Sequence, residues 1–398
     1  MKIVVFARAL PFHSTGGMEI IGWDLITGLA RRGHRVEVIT TGVKTGNVIR
    51  IPSTLKDLLS LTPLVGTPPG RYSSRWWKKS REIYLDLQKV FHPDLVLSVS
   101  FGAQSVLPVL GKVPSVMQAH GTFYREFRSK LRSGRFRSIL GAIPNLWNAA
   151  REIRTLSRFG YVVAVGRGVA DEIRQRFEKA GSGTERVLYI PNGIDTDLFR
   201  RDPQSREQIR SQLGIPTGTK LLVWASRLHP QKGAHLALEA FHALNDRDWR
   251  FLMIGDGSEL RRLVAQAARL NLNERVIFKG GIPHELLPAW LGAGDVFVFT
   301  SLHEEGLPLN ILEAMSMDLP IVMSRHLCQT FNGAKGVYPV DPKNPAEVAK
   351  GIRQALNDRS GSRLMIEKEF SLNVMLDRYC TLFERIINDA ETLSTVRV

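Results

Sequence analysis

The feature that most constrains this chain is a recurring order: a short apolar run, a glycine-rich or polar loop, then a segment with helical apolar spacing. In the first half the runs are Lys2–Ala7, Arg35–Thr40, Leu95–Ser100, Ser115–Ala119 and Tyr161–Val165. In the second they are Leu221–Ala225, Arg250–Ile254, Val276–Lys279 and Val296–Phe299. Such runs are mostly apolar rather than alternating, which predicts strands buried on both faces of a parallel sheet. Between them, Ile21, Leu25 and Leu29 recur at four-residue spacing from Met18 to Arg32, and Gly33 ends that helix. The alternation predicts an α/β fold of two doubly wound domains facing each other across a cleft. A length of 398 residues suits two domains. The turn cluster Pro191-Asn192-Gly193-Ile194-Asp195 sets the boundary, giving domains over 1–190 and 191–370. A last helix over 371–398 has the apolar stripe Leu372, Met375, Leu376, Tyr379, Leu382, Phe383 and Ile386.

Composition narrows the function classes. The hydrophobic share of 43% and charged share of 23% are those of a globular protein, and no apolar run is long enough to span a bilayer. MKIVVFARAL reads as a first core strand rather than a signal peptide, and Cys328 and Cys380 are the only cysteines. Both point to a reducing, cytoplasmic setting without a structural zinc site. A net charge of +16 favours an anionic partner. The charge concentrates in Thr122–Phe159, where Arg125, Arg128, Lys130, Arg132, Arg135, Arg137, Arg151, Arg154 and Arg158 accompany only two acids. Phe123, Tyr124, Phe127 and Phe136 are interleaved, a mix suited to an anionic membrane surface, where each basic residue adds about 1 kcal/mol. A solvated helical face is the competing reading. Nucleic acid is not expected, because no recognition motif accompanies the charge.

Chemistry concentrates where apolar runs end. Val296–Val322 reads strand, loop, helix, strand, with a helix expected over Asn310–Met317. This places Glu305 and Glu313 at the carboxyl edge of a sheet, where open α/β sheets bind ligands. Two carboxylates there can accept hydrogen bonds from sugar or ribose hydroxyls. The alternative is a helix cap and an ordinary surface glutamate. Gly16-Gly17 opens the first helix, where a phosphate can approach the backbone. His120 directly follows a strand, and Arg227 and Lys232 occupy the loop Ser226–Gly233. Trp76-Trp77 and Lys78-Lys79 lie in a basic helix expected over Arg71–Val90.

Taken together, GGMEIIGWDLITGLARRGHRVEVIT, PNGID, SRLHPQKG, GDGSEL and EEGLPLNILEAM resemble the retaining glycosyltransferases of the GT-B fold, family 4 type (glycosyl transferases group 1). The resemblance covers nearly the whole chain and implies two Rossmann-like domains, the first for an acceptor and the second for a nucleotide-sugar donor. It implies that the last helix crosses back to the first domain. Arg227 and Lys232 would hold the leaving diphosphate without a metal or other cofactor, Glu305 the donor sugar, and Glu313 the ribose. Gly16, Gly17, Gly255, Gly306, Leu307, Pro308 and Leu309 would contact donor or nucleotide, and His120 would lie beside the reacting centre. Many members carry glycine where this chain has Pro308, which removes one backbone donor.

The expected partners are a nucleoside-diphosphate sugar, based on UDP, GDP or ADP, and a glycan or lipid-linked acceptor such as lipopolysaccharide or another cell-envelope polysaccharide. A peripheral site on the inner membrane face is expected through residues 122–159. Two alternatives stay open: a nucleotide-sugar epimerase-like enzyme of the same fold, and a basic polyanion-binding protein.

Overall fold

The structure is a computed structural model that describes the chain apart from Thr15, 43–50, 133–142, Asn332, 358–360 and 396–398. The chain divides into two compact units. One comprises Met1–Thr122, Trp147–Gly193 and Leu372–Val398, the other Phe123–Leu146 and Ile194–Ser371.

The first unit holds a parallel sheet of β1 (Lys2–Ala7), β2 (Arg35–Thr41), β3 (Leu59–Leu64), β4 (Leu95–Val99), β5 (Ser115–Ala119), β6 (Tyr161–Ala164) and β7 (Val187–Tyr189). Its order is β3-β2-β1-β4-β5-β6-β7. Every residue of β4 and β5 is buried, as runs without polar alternation require. The strand order reverses between β1 and β4, so the connections leave a crevice beyond their carboxyl ends.

The helix Leu372–Thr395 also belongs to this unit and packs on the helix Gly17–Arg31. Met375, Leu376, Tyr379, Phe383 and Ile386 of the sequence stripe are buried. The close approach depends on Gly28, where a β-carbon would stand 2.5 Å from Leu376 Cδ1. Arg32 fastens the contact through an ion pair to Asp377 (2.7 Å).

The second unit repeats the scheme with β8 (Lys220–Ala225), β9 (Trp249–Ile254), β10 (Val276–Gly280), β11 (Val296–Phe299), β12 (Ile321–Ser324) and β13 (Val337–Val340). The parallel order β10-β9-β8-β11-β12-β13 reverses between β8 and β11. Trp224, Phe251 and Phe297 fill its core.

Two strands carry no clear sequence signal. β3 lies in the unassigned Ile49–Pro69 stretch, and β13 follows the motif region. Both are sheet edges and both contain proline, Pro63 and Pro339. Proline is tolerated at an edge, but it weakens the pattern by which a strand is recognised.

The basic segment resolves into the helices Phe123–Arg132 and Ile143–Leu156. Arg135, Phe136 and Arg137 lie outside the described residues. The first of these helices belongs to the second unit, although the sequence reading placed it within 1–190.

Candidate active site

The two strands flanking the reversal in the second sheet, β8 and β11, deliver the loops that carry the expected residues. After β8 the chain makes a short turn of 3-10 helix, Pro230–Lys232, and enters the helix Ala234–Leu244. Gly233 joins them at φ +72°, and a β-carbon there would stand 1.9 Å from the Thr300 carbonyl oxygen. Glycine is therefore required for both conformation and space. The loop after β11 is stitched to this turn. Thr300 Oγ1 donates to the Gly233 carbonyl (2.8 Å), and the Leu302 N–H donates to the Gln231 carbonyl (2.8 Å).

This stitching brings Lys232 and Glu305 together, with Nζ 2.7 Å from Oε2 and side chains only 15% and 12% exposed. Ser301 Oγ donates to the other carboxylate oxygen at 3.0 Å. Burial by itself would push the Glu305 carboxyl up. The Lys232 charge and the hydrogen bonds from Lys232 and Ser301 outweigh it and hold the group below its ordinary range. Burial lowers the neighbouring His303 as well, against the opposing pull of Glu305. Arg227 is exposed, and its guanidinium makes no hydrogen bond or ion pair among the described residues. The two expected cations thus differ: one is tied to a carboxylate, the other points out unpaired.

Gly255, at the end of β9, adopts φ +134°, and a β-carbon there would lie 1.9 Å from the Ser226 carbonyl oxygen. That contact lets the β8 and β9 exits touch directly beside Arg227. Leu307, Pro308 and Leu309 are buried, and Pro308 caps the helix Leu309–Ser316. Glu313 on that helix is also buried and lies 2.8 Å from His284 Nε2. His284 follows β10 and tilts against Phe199, with ring centroids 5.3 Å apart. The sequence reading missed His284; the only local signal is its position after the Gly280-Gly281-Ile282-Pro283 turn.

The helix Phe123–Arg132 reaches the same loop one residue before Glu305. The Glu304 N–H donates to Ser129 Oγ (2.8 Å), Arg128 pairs with the buried Glu304 carboxylate (3.3 Å), and Arg125 Nε donates to the Glu304 carbonyl (3.4 Å). Two of the basic residues read as membrane-facing therefore have partners inside the second unit. Arg151, Arg154 and Arg158 are exposed.

In the first unit, His120 directly follows β5. Burial lowers it to about 4, so its ring is neutral near pH 7. His120 Nε2 lies 3.0 Å from Gln118 Oε1, and Gln118 Nε2 donates to the Tyr379 hydroxyl at 3.0 Å. The C-terminal helix thereby orients the histidine. Gly16 is extended (φ −142°) and caps the helix that begins at Gly17. The Glu19 carboxylate folds back over it, with Oε2 2.3 Å from where a β-carbon would sit.

Two family matches lie in tandem on this framework. Residues 15–198 match Glycosyltransferase Family 4, and residues 205–370 match Glycosyl transferases group 1. Two parallel Rossmann-like sheets and these matches place the chain in the GT-B class. It belongs to the family 4, group 1 type of glycosyltransferases.

Among similar proteins is a GDP-mannose-dependent alpha-(1-6)-phosphatidylinositol monomannoside mannosyltransferase of Mycolicibacterium smegmatis. It is 34% identical over 188 residues, covering 45% of this chain and 49% of that protein. The chain thus spans about half the length of that relative. The sucrose-phosphate synthase of Thermosynechococcus elongatus superposes with a TM-score of 0.79 at 18% identity, over 98% of this chain and all of that one. Anabaena HepE, solved with UDP and glucose, gives 0.71 at 21% identity over 96% and 99%. At these identities the structural likenesses speak for the fold.

Proposed function

We propose that this protein transfers a sugar from a nucleoside-diphosphate sugar to a hydroxyl of a glycan acceptor, with retention of anomeric configuration. The observation that carries this reading is the buried Lys232–Glu305 pair beside the unpaired Arg227, at the strand reversal of the second sheet. A ligand bound there meets one cation that is free and one already fixed in place. Fixed cations stabilise charge that develops on a departing diphosphate without reorganising during the reaction.

In this scheme Glu305 holds Lys232 and accepts from donor-sugar hydroxyls, while Glu313, oriented by His284, accepts from the ribose. Gly255 and the Gly306–Leu309 backbone line the nucleotide, and Gly16 and Gly17 leave the backbone open to a phosphate at the start of the first helix. The departing phosphate takes the proton of the acceptor hydroxyl, so the protein contributes position and field rather than a nucleophile. The neutral His120 donates or accepts a hydrogen bond at the acceptor side without bringing a charge. No metal or cofactor is required for these steps, and turnover is expected to persist in excess chelator.

The mannosyltransferase relative supports a lipid-linked envelope acceptor, and HepE supports a nucleoside diphosphate as donor fragment. The exposed Arg151, Arg154 and Arg158 support a peripheral membrane contact on the cytoplasmic side.

The test is a thermal-shift panel of UDP, GDP, ADP and their sugars, followed by NMR of the product anomer. A ligand at a hundred times its Kd stabilises by about 2.7 kcal/mol. Stabilisation by one nucleotide and an acceptor-dependent product of unchanged anomeric configuration are expected. Sugar conversion without an acceptor would point to the epimerase-like reading. Binding of polyanions but of no nucleotide would defeat both.

A further inference from the structure

The strand reversal of the first sheet has its own unpaired cation. Arg8 is the first residue after β1, directly at the crevice between β1 and β4. Its Nε is buried and has no hydrogen-bond partner, and the guanidinium has no ion pair among the described residues. The guanidinium carbon lies 4.9 Å from the ring centre of Tyr72. Tyr72 stacks on Trp77 (4.8 Å, 20° between planes) and meets Trp76 edge-on at 5.5 Å. The block is fastened to the exit of β4, because the Tyr72 hydroxyl donates to the Val99 carbonyl (3.4 Å) and Trp76 Nε1 to the Gly102 carbonyl (3.3 Å). Trp76 is fully buried, whereas Tyr72 and Trp77 are half-buried. No acidic residue occurs from Arg71 to Arg81; Arg75 donates to the Gly66 carbonyl, Lys79 donates to the Val65 carbonyl, and Lys78 pairs at 4.0 Å with Glu82 on the exposed helix surface.

A partly desolvated guanidinium lacking a carboxylate is costly to the folded chain alone, and an anion from outside removes that cost. The half-buried aromatic block beside it offers apolar surface against which the C–H face of a pyranose packs. Position at the reversal makes the place a ligand crevice rather than a surface patch.

We propose that Arg8, backed by Tyr72 and Trp77, is an acceptor subsite for a negatively charged saccharide, one bearing a phosphate or a carboxylate. The assignment rests on the transferase reading above and specifies its acceptor. Arg8 forks onto two anionic oxygens, while the sugar ring lies against the exposed part of the aromatic block.

The test is titration of the full chain with glucose 6-phosphate, glucuronate and glucose, followed by tryptophan fluorescence. Saturating nucleoside diphosphate keeps Arg227 and Lys232 occupied throughout. One or both anionic sugars are expected to bind and glucose to bind far more weakly. Which anion binds separates a phosphorylated from a uronate acceptor. Arg8→Gln should weaken the anionic ligand by about ten- to a hundredfold, the scale of a charge-assisted contact, with Arg8→Lys in between. Glucose binding as well as the anions, or Arg8→Gln binding within twofold of wild type, overturns the assignment. Should Arg8→Gln fail to fold, the wild-type preference for anion over glucose decides, and its absence overturns the subsite. If no nucleotide binds, the transferase reading falls and takes the acceptor role with it. Nucleotide binding without anion preference removes the subsite alone.

Discussion

The two sheets share a topology, but their carboxyl edges are furnished differently. In the second unit the edge is held mainly by charge, Lys232 on Glu305 and Arg128 on Glu304, with a hydrogen bond between His284 and Glu313 beside them. In the first it is held by neutral contacts, with His120 on Gln118, Gln118 on Tyr379, and Arg8 over an aromatic block. Ion pairs inside a unit immobilise a cation before an anionic ligand arrives, which suits a group that must act on developing charge. A neutral edge with one unpaired cation suits recognition, because the ligand supplies the missing charge and is rejected when it lacks it. The difference teaches that a shared strand order fixes where a ligand sits, while side-chain pairing fixes what the edge can do to it.

The largest effect expected is on the paired edge. Lys232→Ala should lower turnover by roughly 10²–10³-fold, the scale of one lost charge-stabilising donor. It should also cost about 3 kcal/mol of stability, because Glu305 is left buried without its cation. Adding Glu305→Gln should restore most of the stability and none of the turnover. Parallel recovery of both would place Lys232 outside the chemistry.

Gly233→Ala comes next. It combines a left-handed backbone with a β-carbon 1.9 Å from the Thr300 oxygen. A loss of about 3 kcal/mol or more is expected, read as a lower urea midpoint at unchanged slope. A midpoint within experimental error of wild type would show that the stitched loops are not rigid.

Acid should act at both edges, because burial lowers His120 at one and His303 at the other. His120 is lowered from 6.5 to about 4, so the unfolded chain binds more protons between those values. Stability therefore rises with pH across that window, is fully present above 6.5, and loses up to about 3 kcal/mol as pH falls to 4. Glu305 is depressed below its ordinary value of 4.5, so its contribution is present above that value and is lost only as pH falls further. Urea midpoints measured from pH 7 to pH 4 should decline, and His120→Gln should flatten that decline. An unchanged slope in the variant would mean that another group titrates there.

The smallest effect concerns the helix that reaches the paired edge. Ser129→Ala removes the acceptor of the Glu304 N–H and should cost about 1 kcal/mol. If the contact positions Glu305, kcat should fall more than KM rises. A change in stability alone would make the helix a purely structural brace.

Much of this was legible from residue order. Central strands announced themselves because burial on both faces demands apolar runs, and the edges β3 and β13 did not because each carries a proline and needs less burial. The stripe on the last helix was visible, since Leu376 and Tyr379 repeat at helical spacing. Glycines 233 and 255 marked tight turns, though not the carbonyls they make room for.

What the sequence determined was whatever depends on near neighbours: the strand–helix alternation, the strand ends that carry Arg227, Lys232, Glu305 and Glu313, and the charge excess of the basic segment. What only the tertiary structure decided was pairing. Glu304 meets Ser129 across 175 positions, and His284 meets Glu313 across 29. Sheet order brings such loops together, and no periodicity in the chain encodes which carboxylate a given cation will reach. The same holds for Arg8, an ordinary basic residue in the sequence. The fold buries its Nε beside Tyr72 with no hydrogen-bond partner and no ion pair among the described residues, and that makes it a site.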